Sequence, residues 1–393
     1  MRYLIRASEI YCEDRVLKNS SLIINDDLIE NIDRQKNEEN LDAIDLTGYK
    51  IIPGLIDLHI HGANGYDTMD SNYEALNEIS KYLAENGVTA FLATTVTADW
   101  KKVKDATINI DKTMNKGVEG AVIIGSYIEG PFITEKNRGA HPSKFIRRLD
   151  YKEINGMIKD SNESIKVITI APEKEGALDL IKFLTTKGLK VSIGHTNATF
   201  DQTKKAIQNG ANIGVHVFNG MRGFHHREPG VVGAVLAIDE IYAELIADMI
   251  HVHPEAIKIL VKCKGANKIC LISDCMRAGG LADGEYKLGE LEVIVKDSIP
   301  RLNSGSLAGS TLKLIDGVKN MIEKVGVSPL EAVHMASLIP AKILEIDDEF
   351  GSIRKNKRAN LTVIDDYYNV IMTIIAGNIV YKNKTYRGKR GRG

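Results

Sequence analysis

Apolar, strand-like segments alternate with amphipathic, helix-like segments across residues 51–273, and this alternation constrains the fold more than any other feature. The strand-like segments are residues 51–60, 88–95, 121–128, 166–171, 189–194, 212–217, 242–247 and 268–273. The helix-like segments include 73–86, 100–115, 176–186 and 254–264, with N-cap signals at Asp99 and Thr199. Strands that are apolar along their whole length are typical of a parallel sheet covered on both faces. Eight such βα units predict an α/β fold, a (β/α)8 TIM-type barrel.

Both ends of the chain have a different pattern, in which short apolar runs are separated by polar turns. The runs are 4–6, 8–12, 21–24 and 28–33 before the alternating region, and 360–364, 370–375 and 378–381 after it. This pattern is typical of short strands. We predict a small β-sandwich domain built from residues 1–50 and 345–393, beside a barrel domain of residues 51–344. A charged loop at 37–40 and a disordered basic tail at 387–393 are also expected.

Composition narrows the class of protein. The chain has 393 residues and a net charge of -1, so neither nucleic acid nor an anionic membrane is expected as a partner. Its four cysteines form no Cys-x-x-Cys pair, which indicates reduced thiols and a cytoplasmic location. The N-terminus lacks the apolar core of a signal peptide, and no uncharged apolar run approaches the roughly 20 residues of a membrane helix.

The ends of the predicted strands carry side chains that bind metals or transfer protons. His59 and His61 are two residues apart at the end of the first strand, so they share one face. Later strands end at Glu129, His195, His216, Asp248 with His251, and Asp274. All strand ends of a parallel barrel face one mouth, and imidazoles with carboxylates suit a borderline divalent metal such as zinc. Taken singly, each residue fits a hydrogen-bonded core position equally well; their joint placement favours a functional site.

Local strings around these residues resemble the amidohydrolase superfamily of metal-dependent barrel hydrolases, and within it the N-acetylglucosamine-6-phosphate deacetylase family. The strings are Pro-Gly-Leu-Ile-Asp-Leu-His-Ile-His-Gly at 53–62, Glu-Gly-Pro-Phe at 129–132, Gly-Ala-His at 139–141, Gly-His-Thr-Asn-Ala at 194–198, His-Val-Phe-Asn-Gly-Met at 216–221, Ser-Asp at 273–274 and Leu-Ala-Gly-Ser at 307–310. They follow the order of the family over nearly the whole chain.

The resemblance implies a divalent metal, zinc or iron, held by Glu129, His195 and His216. Members of the family vary at the first strand, and this chain keeps His59 and His61, so one or two metals per chain are expected. A bound metal lowers the pKa of water from about 16 towards about 7, and the resulting hydroxide attacks an acetamide carbonyl.

The resemblance also assigns the catalytic groups and the substrate. Asp274 is expected as general base and then general acid, and His141 as the group that stabilises the oxyanion. The implied reaction is deacetylation of N-acetylglucosamine 6-phosphate to glucosamine 6-phosphate and acetate. The implied substrate-binding residues are Ala140, His141, Asn219, Gly220, Arg227, His251, Leu307, Ala308 and Gly309. Of these, Arg227, His251 and the backbone at 219–220 are expected to hold the phosphate, and a homodimer is expected to complete the site.

Two other functions stay open. The same fold serves deacetylases of other phosphorylated amino sugars, such as N-acetylgalactosamine 6-phosphate, and cyclic-amide hydrolases; the loop around Arg227 disfavours cyclic amides but does not separate sugar epimers. A barrel used only as a non-catalytic scaffold would be expected to lose metal ligands or Asp274, and here all are present.

Overall fold

The computed structural model describes residues 1–33, 41–384 and 386. The expected charged loop at 37–40 and basic tail at 387–393 lie outside these residues. The strands of the described part are β1 (Arg2–Tyr11), β2 (Val16–Asn25), β3 (Leu28–Asp33), β4 (Ala43–Pro53), β5 (Leu55–Ile60), β6 (Gly62–Ala63), β7 (Tyr66–Asp67), β8 (Val88–Thr95), β9 (Val122–Ile128), β10 (Ile165–Thr169), β11 (Lys190–Ile193), β12 (Ile213–Gly214), β13 (Tyr242–Ile246), β14 (Ile269–Ile272), β15 (Gly284–Leu288), β16 (Leu291–Lys296), β17 (Ile299–Arg301), β18 (Leu361–Ile364), β19 (Val370–Ile375) and β20 (Asn378–Lys382).

The helices of the described part follow most of the barrel strands. They are α1 (Tyr73–Glu85), α2 (Trp100–Lys116), α3 (Tyr151–Asp160), α4 (Ala177–Thr186), α5 (Phe200–Gln208), α6 (Gly230–Ala237), α7 (Pro254–Lys264), α8 (Leu314–Asn320), α9 (Pro329–Met335) and α10 (Leu338–Leu344). Short 3-10 turns lie at Thr68–Asp70, Ser143–Phe145 and Ala266–Lys268, and a π-helical turn at Met321–Val325. Among these helices, none combines the length and the apolar character that crossing a membrane requires.

Eight parallel strands form the barrel, in the order β5, β8, β9, β10, β11, β12, β13 and β14. The ring closes just beyond the ends of β14 and β5. There the Asp274 N–H donates to the His59 carbonyl at 2.9 Å, and the His61 N–H donates to the Cys275 carbonyl at 2.9 Å. The predicted (β/α)8 barrel is therefore confirmed, and the carboxyl ends of its strands face one mouth.

Local signals explain where two barrel helices begin. The Asp99 carboxylate accepts the Lys101 N–H at 3.0 Å and caps α2. The Thr199 hydroxyl accepts the Gln202 N–H at 3.2 Å, and the Gln202 side chain accepts the Thr199 N–H at 2.9 Å, so the pair caps α5 reciprocally. Both predicted N-caps are confirmed.

Two predicted strands differ from the observed ones. The segment 51–60 is two strands in two sheets, because the chain breaks at Gly54, where a Cβ would lie 2.3 Å from the Thr89 side chain. The segment 212–217 contains only the two-residue strand β12. Its continuation is irregular because His216 and Phe218 have left-handed φ values of 26° and 83°, although the Val215 and Val217 N–H groups still donate to the Ile193 and Glu244 carbonyls, at 3.0 Å and 2.8 Å. In both places the backbone geometry interrupts the strand, and the periodicity of the side chains gives no sign of it.

The terminal strands form one seven-stranded sheet in the order β20, β19, β18, β4, β1, β2, β3. The sheet curls back on itself: Leu28 of β3 forms a bridge with Arg358, and the Tyr3 hydroxyl donates to the Gly377 carbonyl at 2.8 Å. Its strands enclose a separate apolar core. The small β unit expected from both termini is thus a single curled sheet, and β4 carries it on to Pro53. The domain boundaries at 50 and 345 stay predictions.

Candidate metal centre and active site

Six ionisable side chains meet at the barrel mouth, each from the end of a different strand except for one pair. His59 and His61 end β5, and the others follow β9, β11, β12 and β14 in turn: Glu129, His195, His216 and Asp274. All six are buried, with exposures between 0% and 8%. The convergence predicted from the strand ends is therefore present in the fold.

Glu129, His195 and His216 point at one another in a way that fits a bound cation. The Glu129 Oε1 lies 3.0 Å from the Nε2 atoms of both histidines, and these two nitrogens are 3.2 Å apart. The Nδ1 of His195 is 3.0 Å from the Asn137 carbonyl, and the Nδ1 of His216 is 3.2 Å from the Asn219 carbonyl. A carbonyl only accepts, so each Nδ1 carries the hydrogen and each Nε2 presents a lone pair. Two lone pairs and a carboxylate oxygen facing each other fit a shared divalent cation.

A second group lies against the first and shares Glu129. The His61 Nε2 is 3.1 Å from Glu129 Oε2 and 3.2 Å from Asp274 Oδ1. The His59 Nε2 is 3.5 Å from Glu129 Oε1 and 3.7 Å from Asp274 Oδ1. Among the described residues, the buried nitrogens His59 Nε2 and His61 Nδ1 have no hydrogen-bond partner. Imidazole nitrogens grouped with carboxylate oxygens in this arrangement suit a borderline divalent metal.

Three of these residues have backbone conformations that side chains rarely adopt. The φ angles are 47° at His195, 26° at His216 and 49° at Asp274. Such conformations cost about 1 to 3 kcal/mol each and persist where the surrounding structure enforces them. They turn the chain sharply at the strand ends, which aims the side chains inward.

His141 lies on the long loop after β9, and its hydrogen is on the other ring nitrogen from that of His195 and His216. Its Nδ1 lies 2.8 Å from the Thr97 hydroxyl and accepts the Thr97 N–H at 3.3 Å. A peptide N–H only donates, so the hydrogen of the neutral ring is on Nε2, which faces His195 Nε2 at 3.2 Å. Burial, and next the neighbouring His195, lowers the pKa of His141 to about 4. His141 is therefore a neutral hydrogen-bond donor at pH 7.

A cavity of about 240 Å³ opens above these groups. The predicted site residues that line it are His61, Glu129, Ala140, His141, His195, His216, Asn219, Gly220, His251, Asp274, Leu307 and Gly309. Gly220 has a φ of 59°, and a Cβ there would lie 2.8 Å from the His195 Nδ1, so only glycine fits beside this ring. The wall includes Leu288 of the hairpin β15–β16. The structure thus gathers most of the predicted site around one cavity.

His251 is held at the cavity wall by a neighbouring carboxylate. Its Nδ1 lies 2.6 Å from Asp248 Oδ2, and Asp248 also accepts the His251 N–H at 2.8 Å. Burial by itself raises the pKa of Asp248, but these bonds to His251 reverse the shift and lower it. The pair therefore has an ionised carboxylate that orients the imidazole.

Three predicted site residues do not line the cavity. His59 lies beneath it and is fully buried, and Ala308 is buried in the core under the hairpin. Arg227 is exposed, and its Nη1 contacts the His226 Nε2 at 2.8 Å. Within a single chain, Arg227 is therefore not brought to the cavity, and its role in phosphate binding stays a prediction.

Two residues that orient the site were not predicted. Thr97 sets the hydrogen of His141, and Glu244 of β13 lies 3.3 Å from the His59 Nδ1 through its Oε2. A signal for Glu244 exists in the sequence, since it is a carboxylate inside an otherwise apolar strand. Thr97 follows a run of small and apolar residues and carries no comparable signal.

Comparisons with known proteins agree with this geometry. The model of the amidohydrolase family matches residues 51–380. An N-acetylglucosamine-6-phosphate deacetylase of Vibrio furnissii is 44% identical over 357 residues, which cover 91% of this chain and 88% of that protein. An N-acetylgalactosamine-6-phosphate deacetylase of Escherichia coli O157:H7 is 39% identical over 379 residues, 96% of this chain and 99% of that protein.

A solved structure is also similar over the whole chain. The crystal structure of N-acetylglucosamine-6-phosphate deacetylase from Pasteurella multocida has a TM-score of 0.93 and 31% sequence identity, and the match covers 98% of this chain and 100% of that chain. The extent of these matches, together with the barrel and its buried histidines and carboxylates, leads to one conclusion. This chain belongs to the amidohydrolase family.

Proposed function

We propose that this chain removes the acetyl group of N-acetylglucosamine 6-phosphate, producing glucosamine 6-phosphate and acetate in amino-sugar catabolism. The observation that carries the proposal is the convergence of Glu129, His195 and His216 on one point at the floor of the cavity. The relative in Vibrio furnissii that bears the name of this activity is similar over 91% of the chain.

The donor sets indicate where a metal is held. Glu129, His195 and His216 would hold one divalent cation, and His59 and His61 would hold a second; zinc or iron is the proposed metal. When bound, such a cation polarises a carbonyl as a Lewis acid and lowers the pKa of a bound water towards about 7.

Asp274 moves the proton in the proposed reaction. Burial by itself raises the pKa of its carboxyl group, but the hydrogen bond and positive charge of His61, together with His59, lower it. The carboxylate is therefore ionised at neutral pH and lines the cavity. It takes a proton from the attacking water and passes it to the amine nitrogen, which leaves poorly unless it is protonated.

His141 stabilises the oxygen of the acetamide in this mechanism. Its Nε2 carries the hydrogen and lies 3.2 Å from the His195 Nε2 at the cavity wall, so it donates to a carbonyl oxygen bound there as negative charge develops. A neutral imidazole performs this role without a change of charge, which the low pKa of His141 favours.

The remaining lining residues bind the sugar phosphate in our proposal. His251 and the backbone at 219–220 bind the phosphate, while Ala140 and the segment 307–309 contact the sugar. Within this segment, Ala308 is buried behind the cavity wall and supports the two residues that line it. Arg227 is exposed and does not line its own cavity. We therefore propose a homodimer in which Arg227 completes the phosphate site of the partner subunit.

A second candidate substrate is N-acetylgalactosamine 6-phosphate. It is favoured by the relative in Escherichia coli O157:H7, which bears that activity in its name and is 39% identical over 96% of this chain. The metal and proton-transfer groups are the same for either sugar, so the difference lies only in contacts to the sugar ring. We also propose a cytoplasmic location, which the four free cysteine thiols support.

Acetate release from a panel of sugars tests the proposal directly. The panel contains both 6-phosphorylated epimers and the two free N-acetyl sugars, and the metal content of the same sample is measured. We expect turnover of a phosphorylated sugar, with N-acetylglucosamine 6-phosphate preferred. Absence of acetate from both phosphorylated sugars with metal-loaded protein would contradict the proposed function, whereas a preference for the galactose epimer would favour the second candidate.

A further inference from the structure

We infer that Glu244 orients His59 for cation binding and thereby determines whether this chain holds a second divalent cation. The inference rests on the proposed function, which places a metal at the barrel mouth. It adds a positioning residue that does not line the cavity and belongs to none of the matching strings.

The contact between Glu244 and His59 determines which nitrogen carries the hydrogen. Glu244 Oε2 lies 3.3 Å from the His59 Nδ1, in the barrel interior where both residues are fully buried. A hydrogen bond from Nδ1–H to this oxygen leaves Nε2 as the ring nitrogen that can bind a cation. The His59 Nε2 faces Glu129 and Asp274, at 3.5 Å and 3.7 Å from their carboxylate oxygens, so these side chains surround one point.

The other histidines at the mouth are oriented by different means. His195 and His216 use the peptide carbonyls of Asn137 and Asn219. A peptide carbonyl is present whatever the side chain, so no single substitution removes it. His59 is oriented by the Glu244 side chain instead. A substitution of Glu244 can therefore weaken the second cation without affecting the first.

The burial of Glu244 indicates that it does more than pack. No lysine or arginine in the described part of the chain lies within ion-pair distance of it, and its Oε1 has no hydrogen-bond partner there. A buried carboxyl group is unfavourable without hydrogen-bond partners, and the His59 Nδ1 lies within hydrogen-bonding distance of Glu244. This contact links Glu244 to the residues proposed to hold the second cation.

Two substitutions separate the charge of Glu244 from its hydrogen bond. Glu244→Gln keeps a similar shape and an accepting oxygen but removes the charge, whereas Glu244→Met removes both. Tyr127→Phe is the matched control: the Tyr127 ring lies 4.7 Å from the His59 ring in the same buried layer, and its hydroxyl makes no bond to His59.

The measurements are cations per chain by elemental analysis after dialysis, and stepwise Zn²⁺ affinity by competition with a chromophoric chelator. We expect two cations in the unchanged protein and in Tyr127→Phe. Loss of an outer-sphere partner typically lowers metal affinity by about 10- to 100-fold, so we expect that loss for one of two cations in Glu244→Met and a smaller loss in Glu244→Gln. The unfolding temperature of the metal-free variants should not fall, whereas a purely structural role would lower it.

The metal counts and affinities distinguish failure of this inference from failure of the proposed function. Two cations of unchanged affinity in Glu244→Met would overturn the inference, as would equal weakening of both cations or a lowered unfolding temperature of both metal-free variants. A single cation in the unchanged protein would also overturn it while leaving the proposed function intact. No cation in the unchanged protein, with no acetate released after metal is added, would contradict the proposed function itself.

Discussion

Buried ionisable groups occur both at the barrel mouth and in the terminal sheet, but their partners differ. Lys357 is 2% exposed at the terminal sheet, and its Nζ donates to the Ser352 hydroxyl at 2.6 Å and lies 3.5 Å from the Glu13 carboxylate. Ser352 in turn donates to Glu13 at 2.7 Å. At the barrel mouth, buried nitrogens of His59 and His61 have no partner among the described residues.

This difference shows that buried charge alone does not identify a functional site. The ammonium group of Lys357 has hydrogen-bond and charge partners within its own chain, so its role is to stabilise the fold. At the mouth, His195 and His216 direct their Nε2 atoms at each other and at Glu129, an arrangement that fits a cation rather than a partner within the chain. Substitutions in the two regions should consequently have separable effects: activity and metal content in one, stability in the other.

The largest effect is expected from Asp274→Asn, at the mouth. The amide cannot take a proton from water, and loss of a general acid–base group lowers turnover by about 10²- to 10⁴-fold. Acetate release and the metal content of the same sample are measured together. Near-normal turnover with metal retained would refute the role of Asp274 in proton transfer.

Arg227→Ala extends the comparison to an exposed residue that belongs neither to the buried barrel mouth nor to the terminal sheet. A charge-assisted hydrogen bond contributes about 1.5 to 3 kcal/mol, so we expect kcat/KM for the phosphorylated sugar to fall about 10- to 100-fold, mostly through KM. The unphosphorylated sugar is the control, and an equal effect on it would remove the phosphate assignment.

Mixing subunits sharpens the same prediction. If Arg227 acts in the partner's site, a mixture of Arg227→Ala and Asp274→Asn subunits contains dimers in which one site has both residues intact. We expect activity above that of either variant alone after the subunits are exchanged. Failure of the mixture to gain activity would place Arg227 outside the partner's site.

A smaller effect is expected from Thr97→Val, which removes the hydroxyl that contacts His141 Nδ1 at 2.8 Å. Loss of a complete oxyanion donor costs about 10²- to 10³-fold in kcat, and a misoriented donor should lose less, about 10-fold. Metal content should not change, and Thr97→Ser should restore turnover because it keeps the hydroxyl. If serine and valine behave alike, the hydroxyl does not orient His141.

The smallest effect on turnover is expected from Lys357→Met in the terminal sheet. The substitution leaves Ser352 and Glu13 without their buried donor, so we expect a loss of about 1 to 3 kcal/mol in the free energy of unfolding. Chemical denaturation measures this loss, and turnover and metal content serve as the controls. A fall in metal content would show that the two regions are not independent.

Much of the site was predictable because its signals are local. The two histidines of β5 share a face because side chains alternate along a strand, and Glu129, His195, His216 and Asp274 meet because parallel strands end at one mouth. The contacts of Thr97 and Glu244 were not predictable. They join residues 44 and 185 positions apart, and a one-dimensional pattern does not specify which nitrogen of a ring faces which partner.

The barrel, the strand-rich termini and the residue types at the mouth were predictable from the sequence, since hydrophobic periodicity and strand-end position are properties of short segments. The fold was needed for the rest: the left-handed backbone at His216 that follows β12, the curling of the terminal strands into one sheet, and the side-chain partners of His59 and His141. These depend on backbone geometry and on partners brought together by folding. For the same reason, Arg227 is close in sequence to site residues, yet within one chain it does not line their cavity.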